Sequence, residues 1–122
     1  MPDMSLIRDK LEQIEESLQR IQRRSASIKS PEDFTANEDN LDRLDAIAML
    51  LIAIGESFKK IDTETNGNYL KKYPEIDWRG VIGIRNVLAH DYFDIDAEEI
   101  FKICQRDIPQ LISTVQHMLK DI

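Results

Sequence analysis

This chain predicts an all-α fold, an antiparallel bundle of four main helices. Three observations point there. Apolar residues recur every three or four positions through most of the 122 residues, no stretch alternates apolar and polar as a half-buried strand would, and only four Gly and four Pro interrupt the pattern. A chain of this length supports one hydrophobic core without disulfide or metal staples, so residues 1–122 read as a single domain.

The first stripe is Ile7, Leu11, Ile14, Leu18, Ile21 and Ile28, at spacings of four, three, four, three and seven. It predicts a helix over Met4 to Ile28, capped by Asp3 or Ser5. Glu12, Glu15 and Glu16 come early and Arg20, Arg23 and Arg24 late, as the helix dipole favours. Pro31 follows the end, and Ser30 to Asn37 reads as a connection. The second helix starts from a cap at Asn37 or Asp39. Leu41, Leu44, Ile47, Ala48, Leu51, Ile54, Phe58 and Ile61 share one face of it, and Ala46, Met49, Leu50, Ile52 and Ala53 widen the apolar surface. A helix apolar around so much of its circumference is either central or covered by a second chain. Thr63 to Asn68 stops it, with Asn66-Gly67-Asn68 as turn chemistry.

Tyr69 to Ile76 is a connection, because Pro74 pushes Tyr73 out of the helical region. Asp77 then caps a third helix, Asp77 to His90, through Trp78, Val81, Ile82 and Leu88. Gly80 and Gly83 weaken it and would admit a neighbouring backbone. Asp91 to Ile95 breaks the pattern. Asp96, with Glu99 three residues on, caps a fourth helix from Ala97 to Ile122, in which Pro109 should form a kink or begin a new turn.

Composition removes several function classes. Cys104 is the single cysteine and there are two histidines, so no internal disulfide and no zinc site of familiar spacing can be written; no metal or cofactor is expected. Residues 1–4 lack signal-peptide character, and the longest apolar run, around Ala46 to Ile54, is too short to span a bilayer. A soluble cytoplasmic protein with no membrane role is the expectation. A net charge of −7 argues against a general nucleic-acid binder, so any RNA contact needs a local cluster of bases.

The chemistry concentrates in Arg85-Asn86-Val87-Leu88-Ala89-His90-Asp91-Tyr92. If this stretch is helical, Asn86 and His90 lie on one face and Arg85 can sweep toward them. Such a set suits phosphodiester cleavage without a metal. The RNA 2′-hydroxyl is the nucleophile, a histidine titrating near neutrality moves a proton, an arginine fork holds the phosphate, and an amide orients either partner. One histidine cannot readily act on both sides of phosphorus, but two-fold pairing brings a second set into the same cleft. The plainer alternative is a histidine capping a helix C-terminus and an arginine paired with Asp91 or Asp94.

Arg85-Asn86-x-x-x-His90-x-Tyr92 resembles the signature of HEPN domains of the HepT type, the toxins of MNT–HEPN toxin–antitoxin modules. Ile54-Gly55-Glu56, Tyr73-Pro74-Glu75-Ile76-Asp77-Trp78 and Tyr92-Phe93-Asp94-Ile95-Asp96 resemble further elements of that family. The resemblance runs from about Leu41 to the C-terminus. It implies a homodimer with a composite site at the interface, acting as a metal-independent endoribonuclease on tRNA or mRNA and leaving a 2′,3′-cyclic phosphate. Arg85 and His90 match the catalytic pair and Asn86 its polar companion. Tyr92 matches the tyrosine that the cognate MNT-type nucleotidyltransferase antitoxin modifies with AMP in a type VII-like module.

Lys71, Lys72 and Arg79 are candidate RNA-binding bases, against the plainer reading of a solvated face. Trp78 reads as a core or dimer anchor, His117 as an ordinary surface or interface histidine, and Cys104 as a buried structural thiol. A rival to the ribonuclease is a non-catalytic HEPN subunit that docks a nucleotidyltransferase and binds nucleotide or substrate, a role that suits the acidic charge. A third reading is a purely structural dimerisation bundle.

Overall fold

A computed structural model describes residues 3–88 and 95–122. The described residues form helices and turns without strands, in the bundle that the periodicity predicts. Helix α1 spans Met4–Ser25, and the Asp3 carboxylate caps it by accepting from the Ser5 amide at 3.0 Å. The helix ends three residues before the expected Ile28. Ser25 competes for a backbone partner there: its hydroxyl donates to the Gln22 carbonyl at 3.3 Å. Ile28 is nonetheless buried, on a turn rather than on the helix.

The connection that follows is not featureless. Pro31–Thr35 forms a 3₁₀ turn whose Phe34 is fully buried and packs the segment onto α2 and the fourth helical region. Helix α2, Glu38–Glu64, is the longest element. Asn37 caps it, its side chain accepting from the Asn40 amide at 2.8 Å. Asn66 and Gly67 take positive φ angles, 54° and 73°, and reverse the chain at the expected stop. Leu44, Ile47, Leu51, Ile54, Phe58 and Ile61 line the core as the pattern predicts. Leu41 does not; it is 40% exposed.

Tyr69, Leu70, Tyr73 and Ile76 bury the next connection against the bundle around a short 3₁₀ turn, Leu70–Lys72. The Tyr73 hydroxyl donates to Asp121 at 2.8 Å, which ties this connection to the last helix. Burial, reinforced by that carboxylate, pushes the Tyr73 phenol well above its ordinary pKa. Trp78 packs on Phe58 with ring centroids 4.9 Å apart and donates to the Tyr73 carbonyl, so it anchors the core.

The third helix departs from expectation over its described part. It is two short pieces, α3 (Trp78–Ile82) and α4 (Ile84–Leu88), parted at Gly83. The amide of Gly83 bonds back to the Arg79 carbonyl, and the amide of Asn86 restarts from Gly83. The glycines in this segment serve their own turn: a Cβ on Gly80 would meet the capping Asp77 carboxylate at 2.7 Å, and one on Gly83 the Arg79 carbonyl at 3.0 Å. The close approach of another backbone occurs at Gly55 on α2, where a Cβ would lie 2.7 Å from the Val81 carbonyl and 2.9 Å from Ile84.

The final helix starts as expected, with the Asp96 carboxylate accepting from the Glu99 amide at 3.1 Å. It divides into α5 (Ala97–Lys102), a π turn over Ile103–Asp107, and α6 (Ile108–Asp121). Across that turn the Ile108 amide bonds five residues back to Ile103. The wider register admits Pro109 near the start of α6, where its missing N–H costs no internal bond. Helix α1 packs between α2 and α6, and α3 and α4 lie across α2. Among the described residues no helix is long and apolar enough to cross a membrane. Cys104 is buried, and desolvation raises its thiol pKa to about 11.

Candidate active site on helix α4

The neighbours of α4 on α2 fix where it lies. Leu88 is its buried residue, while Arg85, Asn86 and Val87 face outward. Gly55 has no side chain, so the backbone around Val81 to Ile84 settles directly onto α2. One residue further along α2, the Glu56 carboxylate meets the Arg85 guanidinium, with Oε1 2.8 Å from Nη1. Both side chains are about half exposed, 57% for Arg85 and 48% for Glu56, so the pair sits at the surface rather than in the core.

Sequence reasoning missed the link to Glu56. The two residues are 29 positions apart, beyond any helical spacing, although Glu56 belongs to one of the segments singled out by resemblance. Asp91 and Asp94, the partners that local spacing suggests for Arg85, lie outside the described residues, as do His90 and Tyr92. The described part of the motif therefore comprises Arg85 and Asn86, adjacent and exposed on α4.

The other candidates fall in different surroundings. Lys71 and Lys72 are exposed, and the Lys72 ammonium lies 5.9 Å from the centre of the Tyr69 ring. Lys72 lines a depression of 680 Å³ with Tyr69, Tyr73, His117 and Asp121, near the start of α1 and the end of α6. Arg79 is exposed on α3. His117 is 69% exposed, 3.4 Å from Asp121, as an ordinary surface histidine would be. Beside α4 runs a groove of 410 Å³ with an apolar floor that includes Leu51, Ile54, Ile84 and Ile103. Arg85 and Asn86 line neither depression. Among the described residues no cluster of His, Cys, Asp and Glu could hold a metal ion.

Comparison with known proteins decides the family. The family model described as "Ribonuclease HepT-like" matches residues 14–118. The chain belongs to the HepT-like ribonuclease family. This match extends the resemblance into α1, which the motifs alone did not reach. A relative from Thermococcus cleftensis, named "Probable ribonuclease HepT", is 30% identical over 113 residues, covering 93% of this chain and 96% of its own. Two proteins of Methanocaldococcus jannaschii, named as candidate RNases, are 34% identical over 71 residues and 32% identical over 77. Those alignments cover 58% and 63% of this chain but only 62% and 60% of the relatives' length. No solved structure matches the HepT-like chain at comparable significance.

Proposed function

We propose that this chain is a metal-independent endoribonuclease acting as a homodimer, and that it is the toxin of a two-gene module. The observation that carries the reading is the HepT-like family match over residues 14–118, which contains the whole of the Arg85–Tyr92 motif. The exposed Arg85–Asn86 pair on α4 supports it, since a guanidinium at the surface can reach a phosphate.

The reaction follows from the chemistry of these groups. A base removes the proton from the RNA 2′-hydroxyl, and the 2′-oxygen attacks the adjacent phosphorus. The bond to the 5′-oxygen breaks, an acid protonates that leaving oxygen, and a 2′,3′-cyclic phosphate remains. His90 supplies the proton transfer, with its partner subunit's counterpart on the other side of phosphorus. Arg85 neutralises the charge that grows on the non-bridging oxygens, and Asn86 orients the phosphate or the imidazole. Arg85 and Asn86 lie outside both depressions described above, and in the proposed homodimer the partner chain supplies a second surface over them. The face of α2 bearing Met49 and Ala53 is well suited to provide it: both residues are exposed, Met49 at 72%.

Regulation falls on Tyr92. A nucleotidyltransferase partner would transfer AMP from ATP to its hydroxyl, with pyrophosphate leaving. That group adds bulk and negative charge two residues from His90, where an RNA phosphate has to sit. Intact mass of the protein produced with its partner and ATP should rise in AMP-sized steps, and Tyr92→Phe should abolish the rise. No added mass with an active partner removes the regulatory half of the proposal. The net charge of −7 favours one second reading, a non-catalytic subunit that docks the nucleotidyltransferase. Expression alone separates the two: a toxin arrests growth and a docking subunit does not.

A further inference from the structure

We infer that Glu56 is a positioning residue for Arg85, a role that rests on the proposal that Arg85 grips the scissile phosphate. Arg85 is exposed on α4, next to the first residue of that helix. A long arginine side chain at a helix surface has many rotamers, and each group that limits them prepares it for a phosphate. The Glu56 carboxylate, 2.8 Å from Nη1, narrows that choice before RNA arrives. A guanidinium carries five N–H donors in a rigid plane, so the same fork can grip a carboxylate through one edge and a phosphate through another.

The carboxylate is itself held in place. It stands on α2, the 27-residue central helix, immediately after Gly55. Gly55 sets how closely the segment carrying Arg85 approaches, because any Cβ there would collide with the Val81 carbonyl at 2.7 Å. Adjacent positions on α2 therefore do two linked tasks: one fixes the depth at which α4 lies and the other fixes the direction of its arginine. A half-exposed ion pair adds little to fold stability. Its removal should accordingly be felt in turnover and not in folding.

The test uses the purified full-length chain and a single-stranded RNA labelled with a fluorophore and a quencher. Glu56→Ala should lower kcat about ten- to a hundredfold, the scale on which a misplaced catalytic group costs rate. KM should change much less, and the thermal midpoint should stay at the wild-type value. Glu56→Gln, whose amide oxygen still accepts from the guanidinium, should fall between. In an Arg85→Lys background, Glu56→Ala should add little further loss, because its action runs through the guanidinium. Glu56→Ala at the wild-type rate overturns the inference, as does a full additional loss in the Arg85→Lys background. A faster Glu56→Ala enzyme also overturns it and identifies Glu56 as a latch that RNA must displace. Arg85→Ala separates the two levels. If that variant is inactive while Glu56→Ala is normal, only the positioning role fails; if it cleaves normally, or if the wild type cuts no RNA, the proposed function fails as well.

Discussion

At Gly55 a hydrogen atom stands where any other residue would collide with backbone. The close contact is with the Val81 carbonyl, which cannot swing aside as a flexible side chain could. Gly55→Ala should therefore lower stability by about 1–3 kcal/mol, the usual cost of overpacking, and urea denaturation of the purified chain measures it directly. The same variant should lose RNA cleavage beyond what its stability explains, because the shift moves α4 and Arg85 with it. A Gly55→Ala chain as stable as wild type would mean that the α2–α3 contact is looser than it looks. Side-chain identity showed where chemistry was concentrated but not what met it. Arg85 and Asn86 stood out by residue type, whereas the pairing of Arg85 with Glu56 is made by two helices crossing and leaves no local spacing to read.

Among the elements, the long helices were legible because their apolar residues repeat with the helical period and their ends carry caps. Asp77 and Asp96 hold the caps expected of them, and of the two candidates for α2 it is Asn37 that caps. The interruptions were less legible. Gly83 parts α3 from α4, where simple periodicity runs straight through. The π turn over Ile103–Asp107 absorbs Pro109 by widening the register, a remedy that a proline alone does not reveal. Phe34 is fully buried in the segment between two helices, and a single aromatic residue carries no period that would reveal it. Asp77 offers a test at this scale: its carboxylate accepts from the Gly80 amide at 3.2 Å and starts the segment that leads to Arg85. Asp77→Ala should cost about 1 kcal/mol, the typical loss for a removed cap, read as a lowered urea midpoint with an unchanged slope.

On the scale of the whole molecule, the account requires two chains. Met49 and Ala53 lie one turn apart on α2 and are exposed, and that face leads on to Glu56. Placing a charge there should separate the subunits. Met49→Lys is expected to sediment as a monomer at concentrations where the wild type is a dimer, and to lose cleavage while keeping its helical circular dichroism. A Met49→Lys protein that stays dimeric would assign the interface to another face. The acidic charge of the molecule adds a constraint: RNA must be held by few bases, so cleavage should weaken as salt rises.

The most direct measurement is RNA cleavage by the purified chain in EDTA, comparing wild type with His90→Ala and identifying the ends of the products. The account predicts cleavage without metal, products ending in a 2′,3′-cyclic phosphate, and no activity in a His90→Ala protein that remains folded. Undiminished cleavage by a folded His90→Ala protein, or cleavage that EDTA abolishes, would contradict it.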